Sequence, residues 1–238
     1  MSRKESRGYR PETLAKVTAA IMACIAAIIA AGYDKLRPRL IKGNKKIGRI
    51  WHFSTAAIVS CANCSGCMHF CYELKAYLIH GSVLLSRCRN YVLMKYDRER
   101  AFNDIDKQLK RKRTDFKWFR WHVGGEIMDY DYFCRMVKIA IDNPTWNFYT
   151  YTKMYGIVNT WIAKNGGSKE CLPDNLKIMF SEWDGMPMIN PYNMPTFKTI
   201  MPGKKRRPHA WQCPGNCEEC VKLGRGCVVG EDTDNGLH

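Results

Sequence analysis

Apolar positions recur along this chain with two periods, and the change of period separates the elements. Over residues 11–32, Leu14, Val17, Ile21, Cys24 and Ile28 return every three or four residues, the seam of a helix that packs on another helix. Pro11 in a first turn and Gly32 past the end frame it. Residues 36–46 are basic and hold Pro38 and the turn Gly43-Asn44, which predicts a linker. Residues 47–59 mix aromatic and β-branched side chains and predict one or two strands. Tyr72, Leu74, Tyr77, Leu78, Val83 and Leu84 predict a helix interrupted near Gly81, and residues 91–112 predict another.

Residues 116–123 predict a buried strand that runs into Gly124-Gly125-Glu126. Then come a helix over 130–141 ending at Asn143-Pro144, a strand over 146–151, a helix over 157–164 closed by Gly166-Gly167, and a strand over 176–183. Strands alternating with helices imply an α/β fold, with a parallel sheet or a partial (β/α) barrel. From Gly185 on, Pro187, Pro191, Pro195 and Pro202 predict irregular loops. The expected organisation is a basic arm and alanine-rich helix (1–40), an α/β core (41–200) and a C-terminal cysteine-rich metal knuckle (201–238).

Composition sharpens this picture in two ways. Hydrophobic content of 46% supports a real core, so extended disorder is excluded outside the ends. A formal net charge of +16 favours anionic partners. Two basic runs, 110–113 and 204–207, with Trp118, Arg120, His209 and Trp211 near them, have the composition that grips phosphates and stacks bases; a solvated basic face is the simpler alternative. The apolar stretch 17–33 is short and alanine-dominated for a membrane span. The expectation is therefore a cytoplasmic protein whose first helix is buried or pairs two copies, with membrane insertion disfavoured.

The twelve cysteines carry the chemistry. Eight fall into two groups: Cys61, Cys64, Cys67 and Cys71, then Cys213, Cys217, Cys220 and Cys227. The first spacing repeats the run by which bacterial ferredoxins wrap a cluster, with Tyr72 where those proteins have proline. Soft thiolates select iron–sulfur or zinc, and no secretory signal points to disulfides. A [4Fe–4S] cluster is expected at the first group. The second group suits zinc or a second iron–sulfur cluster. Cys24, Cys88, Cys134 and Cys171 are isolated and read as small core residues.

Other residues join the first group in one hypothesis. Phe70 stands beside the last cysteine, as in radical S-adenosylmethionine enzymes, and Gly124, Gly125 and Glu126 resemble the Gly-Gly-Glu segment that binds the methionyl amine there. The spacing departs: those enzymes run x3 then x2, whereas Cys64, Cys67 and Cys71 run x2 then x3. His122, two residues before Gly124 on the expected strand, shares its face and is a candidate donor with Glu126. A hydrogen-bonded sheet histidine is the plain alternative. Tyr149, Tyr151, Thr152 and Lys153 end the next strand and are candidates for the same mouth.

Several stretches together resemble a phage and plasmid family, gene product eighty-eight. They are Lys42-Gly43-Asn44-Lys45-Lys46-Ile47-Gly48, Cys67-x3-Cys71-Tyr72, Arg120-x-His122-x-Gly124, Tyr149-x-Tyr151-Thr152-Lys153 and the C-terminal cysteines, over roughly 40–238. Gly125-Glu126 departs from the Gly-Asp-Phe usual in that family. The resemblance implies a mobile-element protein that binds metal. Two functions follow from the residues. One is an iron–sulfur enzyme that cleaves S-adenosylmethionine and acts on a nucleotide or nucleic acid. The other is a non-enzymatic nucleic-acid-binding protein with structural zinc.

Overall fold

A computed structural model describes residues 8–44, 46–64 and 66–236. Most of the expected N-terminal arm lies outside those residues. The chain opens with helix α1 (Pro11–Ala30), followed by the strands β1 (Ile41–Asn44) and β2 (Gly48–Phe53). Helices α2 (Tyr72–Ile79), α3 (Gly81–Tyr96) and α4 (Arg98–Arg111) lead to β3 (Trp118–Trp121). Next come α5 (Tyr130–Asp142), β4 (Asn147–Thr152), α6 (Tyr155–Lys164) and β5 (Leu176–Glu182). The C-terminal part adds β6 (Thr196–Ile200), β7 (Trp211–Gln212), α7 (Cys217–Leu223) and β8 (Thr233–Gly236).

The fold is mixed α/β around one eight-stranded sheet in the order β1-β2-β3-β4-β5-β6-β8-β7. Among the described residues, only the β1–β2 pair is antiparallel. From β2 to β6 each parallel strand lies beside its predecessor, the progression of a partial barrel. Alternation divides the sheet's two faces. Phe53, Phe119, Trp121, Phe148, Ile178 and Phe180 point to one face and form a core with α4, α5 and α6. Ile50, Tyr149 and Tyr151 point to the other, where Trp211, Cys217, Cys220 and Val228 cover them.

Helix α1 packs on α3 and α2 through Leu14, Val17, Ile21, Ile25 and Ile28. The expected seam is right in phase, except that Ile25 is buried and Cys24 is only partly covered. This is the one helix among the described residues long and apolar enough to cross a membrane by length and composition. Its seam is occupied by the chain's own helices.

Four local expectations are corrected. The linker over 36–46 contains β1: Asn44 Oδ1 accepts from the Ile47 amide at 3.0 Å and Gly43 takes φ 57°, so the stretch turns into a hairpin with β2. The break expected near Gly81 falls at His80, but the helix expected over 91–112 is interrupted at Asp97, which adopts non-helical backbone, so three helices stand in place of two. Strand β3 ends at Trp121, and His122 takes φ 56°, so its side chain leaves the alternation expected from the sequence. The Pro-rich region after Gly185 returns to the sheet: Pro195 sits just before β6, where a missing amide is tolerated, and β8 then pairs β6. Residues 201–238 therefore supply two strands of the sheet.

Candidate functional site

Parallel strands bring their carboxyl ends to one edge, and side chains from the following loops converge there. Both cysteine groups reach that edge. A cavity of about 480 Å³ is lined by Cys61, Cys64, Cys67 and Cys71 from the loop after β2, and by Cys213 and Cys217 from the C-terminal segment. Phe70, His122, Gly124, Gly125 and Glu126 also line it. Cys220 and Cys227 are buried beside it, near Trp211 and Thr233.

The loop after β2 is shaped by short polar side chains. Ser60 Oγ donates to the Ala56 carbonyl at 2.7 Å and Thr55 Oγ1 donates to Ser60 at 3.1 Å. Ser54 Oγ accepts from the Val123 and Gly124 amides at 3.1 and 3.2 Å, which ties this loop to the one after β3. All twelve cysteines are free thiols. Burial pushes the Cys71 and Cys220 thiols up to about 11 and Cys227 to about 12, and it raises Cys61, Cys64 and Cys213 as well. These thiols keep their protons at neutral pH, and any metal bound there would have to displace them.

Among the described residues, no three His, Cys, Asp or Glu side chains converge closely enough to hold a single metal ion. A tetrahedral zinc would need its sulfurs about 3.8 Å apart, from Zn–S bonds of about 2.3 Å. The first group nevertheless fits a larger thiolate-held cluster by its chemistry. It offers four soft donors, all from one short loop and all on one cavity.

The Gly-Gly-Glu segment follows β3 as expected, and the reasons for its residue types are visible. A Cβ on Gly124 would stand 2.3 Å from Glu73 Cδ, and one on Gly125 would stand 2.1 Å from Thr55 Oγ1. Gly125 also takes φ 86°. The glycines thus admit protein neighbours. Glu126 Oε1 accepts from the Ile127 amide and Thr152 Oγ1, both at 2.8 Å, and Oε2 accepts from the Lys153 amide at 2.8 Å. Burial raises the Glu126 carboxyl above its ordinary range against the pull of those donors. By lone-pair count, one acceptor position is left on Oε2.

His122 is fixed on every side. Its amide donates to the Phe53 carbonyl at 2.8 Å, Nε2 meets Tyr132 Oη at 2.9 Å and Nδ1 meets Thr150 Oγ1 at 3.4 Å. Burial, then the nearby Arg120 charge, pushes its pKa down to about 3, so the ring is neutral. These hydrogen bonds anchor the turn into Gly124.

Several cavity residues carried little or no sequence signal. Glu73 is buried, ion-paired to Arg87 Nε at 2.7 Å, and pressed against Gly124; its only hint was an acid in the first turn of a helix. Phe197 comes from the region read as loops, and Trp183 from the end of a strand read only as part of the sheet. Part of the expected basic grip is engaged within the chain. Arg207 pairs with buried Asp234 at 2.7 Å, Lys110 pairs with Asp106, and Lys112 lies over the Trp51 ring at 3.3 Å.

Residues 27–216 match the family model described as gene product 88. The match includes part of α1, all of the first cysteine group and Cys213, and it stops before Cys217, Cys220 and Cys227. It therefore begins earlier and ends sooner than the resemblance read over 40–238. No curated protein and no solved structure matches the chain.

Proposed function

The chain belongs to the gene product 88 family, and we propose that it is an iron–sulfur redox protein of a mobile genetic element, working in the cytoplasm on a small anionic substrate. Cys64, Cys67 and Cys71, with Cys61 as fourth or alternate ligand, hold the cluster. Cys213 and Cys217, with Cys220 and Cys227, hold a second metal or cluster. The single observation that carries the reading is that both groups reach one cavity at the carboxyl ends of the parallel strands. A structural knuckle has no need of a substrate-sized space against its thiols, whereas a redox centre does.

When bound, an iron–sulfur cluster supplies an electron. The chain's own residues bound and dry the space around it. Among its lining residues, Phe70 and Trp183 pack as a tilted pair at 5.8 Å, and Tyr151 and Phe197 meet edge to face at 4.7 Å. Glu126 braces the turn after β3 against the end of β4. S-adenosylmethionine is the co-substrate to assay first. Support for it is the location of Gly124, Gly125 and Glu126 and the acceptor position left on Oε2; the glycines themselves answer to Glu73 and Thr55.

Anaerobic purification with iron, sulfide and zinc analysis tests the proposal. The expected result is a brown protein with about four irons and four sulfides at the first group, most of them lost in Cys67→Ser or Cys71→Ser. A colourless protein with about two zincs and no iron uptake on reconstitution overturns it in favour of structural metal sites. Reductive cleavage of S-adenosylmethionine by the brown protein then separates an enzyme from an electron carrier.

A further inference from the structure

Arg120 is the odd charge in this cavity. It lies on β3, opposite Tyr149 of β4, on the face that the C-terminal cysteines cover. It is 9% exposed, its Nε is buried without a hydrogen-bond partner, and among the described residues its guanidinium forms no ion pair. It lies over the Tyr151 ring at 4.5 Å and lines the cavity. Burying a cation is costly unless something pairs with it. The cavity's own carboxylates do not. Glu73 is spent on Arg87, and Glu126 is turned to Ile127, Thr152 and Lys153. Lys46 and Lys153 add further cations on the same lining, and the Lys153 Nζ donates to the neutral Ser181 Oγ at 3.0 Å.

We propose that Arg120 and Lys153 form an oxyanion subsite of this cavity and that its ligand is a nucleoside phosphate. The guanidinium fork matches a phosphate bidentately, and the ammonium adds a point charge. The tilted pair Phe70–Trp183 on the lining offers aromatic surface for a base. A volume of about 480 Å³ is in the range that encloses a ligand of this size. The inference rests on the reading that this cavity is the functional site; it does not require that the metal be iron. Its competitor is that Arg120 only balances the Cys217 thiolate of a metal site, since that sulfur is a close neighbour.

Calorimetric titration of the anaerobically purified protein with adenosine monophosphate, adenosine and inorganic phosphate tests it, with iron analysis in parallel. Adenosine monophosphate is expected to bind at least about tenfold tighter than adenosine, with inorganic phosphate weaker than both and salt weakening only the charged ligands. Arg120→Gln is expected to erase the preference over adenosine while the iron content holds. Lys153→Met, a check should the first variant fail to fold, is expected to reduce the preference several-fold. Equal binding of nucleotide and nucleoside by the native protein overturns the subsite. So does an unchanged preference in Arg120→Gln or, where that variant does not fold, in Lys153→Met. Loss of iron from Arg120→Gln with the preference intact assigns the residue to the metal site instead. A native protein without iron that still prefers the nucleotide defeats the iron–sulfur reading alone.

Discussion

His52 and His122 are the residues through which acid acts on this fold. Both are almost fully buried, and burial pushes both pKa values down to about 3, helped by Arg87 and Arg120 at His52 and by Arg120 at His122. An unfolded chain titrates them near 6.5. Between those values the unfolded state binds more protons than the folded one, so stability rises with pH across that window and falls on acidification. At pH 5 each ring is expected to remove at most about 2 kcal/mol relative to pH 7. Urea unfolding at the two pH values measures this. His122→Gln should start from lower stability, through loss of the Tyr132 contact, yet show a flatter pH dependence. A midpoint in the native protein that does not move between pH 7 and 5 removes both histidines from the account. The same residue illustrates what a strand pattern leaves out. Alternation put His122 beside Gly124, but the left-handed turn that separates them is set by Phe53, Tyr132 and Ser54, partners distant in the chain.

Among elements, α1 bears the clearest test. Ile21 is fully buried in its seam, and the Ile21 carbonyl lies 3.9 Å from the Cys88 thiol of α3. Ile21→Ala leaves a cavity and is expected to cost about 3 kcal/mol, read as a lower urea midpoint. An exposed or membrane-bound helix would tolerate the change, and an unmoved midpoint would mean α1 does not dock as described. The elements with long periodic patterns, α1, α5 and α6, were legible because each buries a stripe of its own. The short strands β1, β6 and β8 were not. Four or five residues cannot display a period, and their order comes from partners such as Asp232, whose carboxylate accepts from the Thr196 amide at 2.7 Å. The site divides the same way. Local spacing made the two cysteine groups visible in the sequence, while their meeting in one cavity depends on sheet order, which no local pattern records.

At the scale of the molecule, the C-terminal segment is a wall of the fold. It adds β7 and β8 to the sheet, covers Tyr149 and Tyr151, and brings Cys213 and Cys217 to the cavity. It also neutralises charge within the sheet: Arg207 holds Asp234, which is fully buried, and reaches Thr196 Oγ1 at 2.6 Å. Removing residues 202–238 would leave β6 as an uncovered edge and expose the aromatic face of β4. That truncated chain is expected to aggregate or unfold without a sharp transition, and to take up no stable metal, although all four cysteines of the first group remain. Circular dichroism during urea titration, with iron and zinc analysis of the soluble fraction, distinguishes the cases. A sharp transition would make the segment an independent appendage, against the pairing of β8 with β6. Retained metal without the segment would mean that Cys61, Cys64, Cys67 and Cys71 are self-sufficient and that the shared cavity serves the ligand alone. Loss of both ties the two cysteine groups, about 140 residues apart in the chain, to one folding unit, as their common cavity requires.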